Sequence, residues 1–101
     1  MLFELESDNL GSILSENEKV FVMFGASWCG ACRMIKPKIK KMATENEQIK
    51  FVYVDAEHMT ESRGLASPIR NLPTFAAFSG SEVIAKEIGT KSIQSILESL
   101  N

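Results

Sequence analysis

Trp28-Cys29-Gly30-Ala31-Cys32 is the stretch on which the rest of the chain depends, and it holds the only two cysteines of the sequence. Shortly before it, residues 20–24 form a continuous apolar run that is typical of a buried strand. After it, apolar residues recur at helical spacing over residues 35–42. The cysteine pair is therefore predicted at a turn from a strand into a helix, with Cys29 at or beside the first helical position.

This position gives the two thiols a specific chemistry. The first N–H groups of a helix have no partner within it and carry roughly +0.5 charge, which stabilises a thiolate. Cys29 and Cys32 stand at i and i+3, a spacing that brings two Cα atoms near the ~5.5–6 Å that a disulfide prefers. We therefore predict dithiol–disulfide exchange, with Cys29 exposed and reactive and Cys32 more shielded.

Two other interpretations of the cysteine pair are inert structural thiols and half of a zinc site. Zinc takes four ligands, and beside the thiols the chain offers one histidine, His58, which lies far along the sequence. An inert buried pair does not suit a helix start next to a glycine. We therefore expect redox chemistry, no metal site and no bound cofactor.

The composition is that of one globular domain, because the chain has 101 residues, of which 45% are hydrophobic and 24% charged. A net charge of −2 gives no electrostatic reason to expect nucleic acid or an anionic membrane as a partner. No apolar run approaches the ~20 residues of a membrane span, and the acidic N-terminus does not resemble a signal peptide. We expect a cytoplasmic monomer.

Periodicity and turn residues predict the remaining elements. Strands are predicted over residues 2–5, 19–25, 50–55, 74–78 and 82–88. Helices are predicted over residues 10–17 with Ser7 as N-cap, and over residues 29–45, 60–66 and 93–100. This order predicts an α/β fold with a central mixed sheet and helices on both faces, in which the first two central strands are parallel.

Several residues outside the cysteine pair allow more than one role. Trp28 packs in the core or lines a contact surface for an extended polypeptide, and the residues alone leave both open. Pro73 precedes a strand, where a trans bond is the usual state. His58 is expected in a solvated loop, and a solvated helix face is expected for Lys36, Lys38, Lys40 and Lys41.

Residues 24–37 resemble the active-site strand, loop and kinked helix of the thioredoxin family. Tyr53-Val54-Asp55 resembles the end of the family's central strand, and residues 69–75 resemble its cis-proline segment. Gly80 and Gly89 fall near two late glycine positions of the family. The resemblance covers essentially the whole chain and implies the thioredoxin fold.

The resemblance implies that the chain reduces protein disulfides, with Cys29 as the attacking thiolate and Cys32 as the resolving thiol. Pro73 would be cis and face the cysteines, and the main chain at Leu72 would pair with an extended substrate. The implied substrate-binding residues, which we call the docking rim, are Trp28, Gly30, Ala31, Leu72, Pro73, Ile88 and Gly89. A separate thioredoxin reductase would restore the dithiol, because the chain carries no Gly-rich dinucleotide fingerprint.

The sequence departs from the family pattern at three positions. Gly30-Ala31 stands between the cysteines where Gly-Pro is usual, so the redox potential is expected to differ. Met23 replaces a buried aspartate, and Phe51 aligns with the usual lysine partner of that aspartate. The family's proton acceptor for the resolving thiol is therefore missing.

Two alternatives to a general disulfide reductase remain open from the sequence. One is a partner-specific redox protein of the same fold, or a mild oxidant. The other is a non-catalytic peptide-binding module that uses a groove at Leu72-Pro73 and keeps the cysteines as a vestige.

Overall fold

A computed structural model describes all 101 residues. Strands and helices follow one another in the predicted order. The five strands are β1 (Leu2–Glu4), β2 (Lys19–Gly25), β3 (Lys50–Asp55), β4 (Thr74–Ser79) and β5 (Glu82–Ile88). The four helices are α1 (Leu10–Glu16), α2 (Gly30–Glu45), α3 (Thr60–Gly64) and α4 (Ile93–Glu98). None of the four has the length and apolarity that crossing a bilayer requires.

The strands form one mixed sheet in the order β1-β3-β2-β4-β5. β2 lies at its centre and pairs parallel with β3 and antiparallel with β4. Residues 20–25 of β2 are all buried, because helices cover both faces of the sheet and leave no solvated side on the central strand. The parallel pair and the mixed sheet confirm the sequence prediction.

Each face of the sheet has its own core. On one face Phe21 stacks on Phe51 with 4.9 Å between ring centroids, and this cluster also holds the buried residues of α2 and α4. On the other face Val22 and Phe24 pack with Leu10 and Leu14 of α1. Side chains alternate along a strand, so the uninterrupted apolar run of β2 supplies both cores. The prediction of helices on both faces is confirmed.

The predicted N-cap of α1 is wrong. Asn9 occupies the cap position without a side-chain hydrogen bond, and the Ser7 carbonyl instead accepts a bond from the Asn9 N–H at 2.7 Å. The neighbouring carboxylate of Asp8 accepts from the N–H groups of Glu61 and Ser62 at 3.0 and 2.7 Å. It therefore caps α3, a helix that is distant in sequence and adjacent in space.

Two X–Pro peptide bonds are cis, Leu72–Pro73 and Ser67–Pro68. The first agrees with the family resemblance, and it corrects the trans bond that the residues alone favour. The second was not anticipated from any feature of the sequence.

Candidate active site

The cysteine pair lies where β2 leaves the sheet and α2 begins. Cys29 is the N-cap of α2, and its sulfur accepts a hydrogen bond from the Cys32 N–H at 3.2 Å. The two residues form a disulfide with 5.2 Å between their Cα atoms. The N–H donor and the helix dipole both act on the sulfur of Cys29, so they stabilise negative charge there when the bond is reduced.

Burial of the two cysteines differs from the prediction. In the disulfide form Cys29 is 6% exposed and Cys32 is 2% exposed, so both are buried. The prediction of an exposed Cys29 is therefore wrong for this form. The Cys29 sulfur is bonded to the sulfur of Cys32 and accepts a hydrogen bond from the Cys32 N–H. The neighbouring Trp28 is the large apolar residue exposed to solvent here, at 63%.

Trp28 lies on the surface and not in the core. Its indole Nε1 donates a hydrogen bond to the Glu57 carboxylate at 2.7 Å, which orients the ring beside the cysteines. The turn that carries Glu57 is held by Asp55, whose carboxylate accepts from the N–H groups of Glu57 and His58 at 3.0 and 3.3 Å. An oriented and exposed ring is suited to contact with a partner.

His58 is exposed, as predicted, and its Nδ1 lies 2.9 Å from Asp55 Oδ2. The hydrogen bond with Asp55, assisted by the negative charge of that carboxylate, raises the pKa of His58. A raised folded pKa adds stability that is complete below the unfolded value of about 6.5 and is lost as the pH rises through the folded value. We expect a small effect, because the pair is open to solvent.

The pH dependence of the melting temperature tests this pair. We expect the melting temperature to fall slightly between about pH 6 and 8, and His58→Gln to remove that fall. Equal slopes for the two proteins in this range would show that the ion pair does not contribute.

The register of the sheet brings the docking rim to the same end of the molecule as the cysteines. Thr74 at the start of β4 pairs with Phe24 on one side and with Ile88 on the other. The Gly89 N–H donates to the Pro73 carbonyl at 2.8 Å, and Gly89 has φ +85°, which favours glycine. Trp28, Gly30, Ala31 and Ile88 are exposed, while Leu72 and Gly89 are half-buried and Pro73 is buried.

Apolar side chains occupy the positions beneath the cysteines. Met23 is fully buried in the same core cluster as Cys29 and Cys32. In the sheet it lies between Tyr53 of β3 and Phe75 of β4. No carboxylate stands at this point of the core, in agreement with the departure from the family pattern noted above.

Sequence reasoning missed two residues of the site, Tyr53 and Lys36. A Cβ placed on Gly25 would lie 3.0 Å from the Tyr53 hydroxyl oxygen and 3.3 Å from the Cys32 sulfur. Lys36 lies with its Nζ 3.9 Å from the centroid of the Tyr53 ring and 2.7 Å from Glu4 Oε1. Lys36 is therefore half-buried and not fully solvated, whereas the other three lysines of the cluster are exposed as predicted.

The alternation of β3 could have placed Tyr53 correctly, because it puts Phe51 and Tyr53 on one face of the sheet. The contact with Lys36 could not have been found in this way, since it depends on the rotation of α2 over that face. In addition, no group of three or more His, Cys, Asp or Glu side chains lies close enough together to hold a metal ion.

Gly25 is the one glycine at which a side chain would collide with the site. A Cβ there would lie 2.9 Å from Cε2 of Tyr53, closer than real Cβ contacts allow. We expect Gly25→Ala to lower the free energy of unfolding by about 1–3 kcal/mol, the usual cost of overpacking. Gly64→Ala is the control, because nothing lies within 4 Å of its added Cβ. Denaturant unfolding that gives both variants the same stability would contradict the close approach.

The chain is similar in sequence and in structure to known proteins of one family. The thioredoxin family model matches residues 2–101. This chain belongs to the thioredoxin family. A thioredoxin of Mycoplasmoides gallisepticum is 35% identical to it over 80 residues, which are 79% of each chain. The bifunctional thioredoxin reductase/thioredoxin of Mycobacterium leprae is 29% identical over 90 residues, which are 88% of this chain and 19% of that protein.

A solved structure of Plasmodium falciparum thioredoxin has the same architecture. It aligns with a TM-score of 0.88 and 25% identity, covering 98% of this chain and 99% of that one. The thioredoxin fold implied by the sequence is thereby confirmed. Family membership and the disulfide at the start of α2 identify the chain as a thiol–disulfide oxidoreductase.

Proposed function

We propose that this thioredoxin-family protein reduces disulfides of protein substrates through its Cys29-Gly30-Ala31-Cys32 dithiol. The observation that carries the proposal is the disulfide at the N-terminus of α2, with the Cys32 N–H donating to the sulfur of Cys29. This geometry favours the thiolate on Cys29, which is the form that attacks a disulfide.

The reaction consists of two exchanges. The Cys29 thiolate attacks one sulfur of the substrate disulfide, forms a mixed disulfide and releases the other sulfur as a thiolate. Cys32 then loses its proton, attacks Cys29 and releases the second substrate sulfur. The substrate gains two electrons and the protein is left with its internal disulfide. This redox centre is the reactive group itself, and we propose that no further cofactor takes part.

The docking rim is proposed to hold an extended segment of the substrate. The hydrogen bonds of the chain leave the N–H and the carbonyl of Leu72 without a partner, although this residue lies at the sheet end that carries the cysteines. Free main-chain groups of this kind bind a peptide by strand addition. Exposed Trp28 and Ile88 supply apolar contacts on either side.

We propose a thioredoxin reductase as the second partner, because the oxidised protein needs an electron donor after each cycle. The name of the Mycobacterium leprae relative, which joins a reductase and a thioredoxin in one protein, supports this pairing. A monomeric state and a cytoplasmic location stay predictions from the sequence.

Catalytic turnover of an insulin-like protein disulfide tests the proposal. With a thioredoxin reductase and its electron donor present, each molecule of the chain is expected to reduce many substrate disulfides. Reduction that stops after one disulfide per molecule, although the reductase regenerates the dithiol, would contradict a reductase. Binding of an extended peptide without any reduction would favour the peptide-binding module instead.

A further inference from the structure

A pocket of about 330 Å³ has Cys32 among the residues of its wall. It lies on the face of the sheet where α2 packs, and we call it the Cys32 pocket. Its ionisable wall residues, which come from β1, α2 and β3, are Glu4, Arg33, Lys36, Tyr53 and Asp55. Cys32 therefore borders a pocket that is open to solvent and carries ionisable groups on its wall, although the core beneath it is apolar.

The charged groups of the Cys32 pocket are engaged with other partners. The Lys36 ammonium binds Glu4 at 2.7 Å, and the Arg33 guanidinium donates to a backbone carbonyl at 2.7 Å. Asp55 accepts from two backbone N–H groups and contacts the His58 ring. Burial raises the pKa of Asp55, but the bonds from His58 and the backbone outweigh it and hold the pKa below its usual value. Neither carboxylate is therefore a ready base for Cys32.

Two hydroxyls of the pocket, those of Tyr53 and Ser27, make none of these hydrogen bonds, and the Tyr53 hydroxyl is the one that lies close to the Cys32 sulfur. Its oxygen and the Cys32 sulfur lie 3.0 and 3.3 Å from the same point, the place of a Cβ on Gly25. The missing side chain of Gly25 thus leaves a gap that both atoms face. The two atoms are therefore neighbours across Gly25, and rotation of the Cys32 side chain after reduction of the disulfide brings its sulfur within reach of a hydrogen bond from the hydroxyl.

The tyrosine is held in place and keeps its proton. The Lys36 ammonium lies 3.9 Å from the ring centroid and forms a salt bridge with Glu4. This cation–π contact restrains the ring from the side on which α2 packs. Burial, together with the negative charges of Asp55 and Glu4, raises the pKa of Tyr53. At neutral pH the hydroxyl is therefore a hydrogen-bond donor and not a base.

We propose that the Tyr53 hydroxyl donates a hydrogen bond to the Cys32 thiolate in the resolving step and so assists the second exchange. This rests on the proposed function. The proton of Cys32 passes to water in the pocket, and the thiolate attacks Cys29. The new bond between the two cysteines replaces the bond from Cys29 to the substrate sulfur, which leaves as a thiolate. Tyr53 is unchanged at the end of the step, and it stabilises charge where the family's missing carboxylate would accept a proton.

Stopped-flow reaction of the reduced protein with the aromatic disulfide dithiobis-nitrobenzoate tests the proposal. Attack by Cys29 releases one nitrothiobenzoate, and resolution by Cys32 releases a second, so one trace reports both steps. Tyr53→Phe keeps the ring beneath Lys36 and removes only the hydroxyl. We expect the first phase to change less than about twofold, and the second to slow about tenfold at neutral pH, with its pH midpoint raised by about one unit.

Lys50→Met is the matched control. It removes the ammonium of a second cation–ring pair, in which Lys50 Nζ lies 4.6 Å from the Phe3 ring, away from the Cys32 pocket. Both phases should be unchanged in this variant. A second phase of Tyr53→Phe with the rate and pH midpoint of the unmodified protein would overturn the role of Tyr53. Absence of a second release in the unmodified protein would instead overturn the proposed function, and this inference with it.

Discussion

Cys29→Ser is expected to reduce disulfide turnover to the uncatalysed background, whereas Cys32→Ser is expected to stop the reaction after the first exchange. The sulfur of Cys29 accepts a hydrogen bond from the N–H of Cys32 at the start of α2, so Cys29 forms a thiolate more readily than Cys32 does. Cys32 lies inside the first turn of α2 and next to Cys29, so it is placed to attack Cys29 after the substrate has bound there. The Cys32→Ser protein should therefore accumulate as a mixed disulfide with its substrate.

Non-reducing electrophoresis and mass spectrometry of each variant with an insulin-like substrate measure this difference. The mixed disulfide should form with Cys32→Ser, carry the substrate on Cys29 and disappear with dithiothreitol. Iodoacetamide labelling of the reduced, unmodified protein is a second test of the assignment, since the better thiolate reacts first. Faster labelling of Cys32 than of Cys29 would reverse the two roles.

Met23→Asp is expected to destabilise the protein strongly and to accelerate the resolving step. Met23 is fully buried in the cluster that contains Cys32, so the variant loses apolar packing and buries a carboxyl group. The loss should be about 3 kcal/mol or more near neutral pH. The same carboxylate would lie beneath Cys32 as a proton acceptor, which the unmodified chain lacks there.

The stability change has a defined dependence on pH. Burial raises the folded pKa of the new carboxyl group above its unfolded value of about 3.9. The cost is therefore smallest at low pH, where both states are protonated, and grows as the pH rises from the unfolded pKa to the folded one. Melting curves from acid to neutral pH, read beside the second stopped-flow phase, measure both effects.

Met23→Leu is the control for packing, because it keeps the position apolar at similar volume and should cost less than about 1.5 kcal/mol. Its resolving step should be unchanged. If Met23→Asp resolves no faster than Met23→Leu at any pH between about 6 and 9, the absence of a carboxylate does not limit this step.

Local patterns were enough to predict most of the fold. β2, β3 and β5 have the predicted bounds, because β2 and β3 contain continuous apolar runs and β5 lies between the turns at Gly80 and Gly89. The cysteine pair was placed correctly by the change from a strand run to helical spacing. The N-cap of α1 was predicted wrongly, because the N–H of its first residue, Leu10, donates to the hydroxyl of Ser62, which is more than fifty residues away in sequence.

The chemistry around Cys32 could be predicted only in part. The loss of the carboxylate at Met23 was evident from the family resemblance. The role proposed for Tyr53 was not, because it depends on the gap at Gly25, the contact with Lys36 and the prior engagement of Glu4 and Asp55. These residues lie on four elements, β1, β2, α2 and β3, whose packing has to be known before that hydroxyl is distinguishable from any other polar group on a strand.

The redox potential of the Cys29–Cys32 pair tests the central claim most directly, because it sets the direction in which electrons flow. It is measured by equilibrating the protein with mixtures of reduced and oxidised glutathione and determining the fraction that carries the disulfide. A reductase of protein disulfides should have a potential in the reducing range, from about −270 to about −200 mV, even with Ala31 in place of the usual proline. A value near about −120 mV would mark an oxidant and contradict the account.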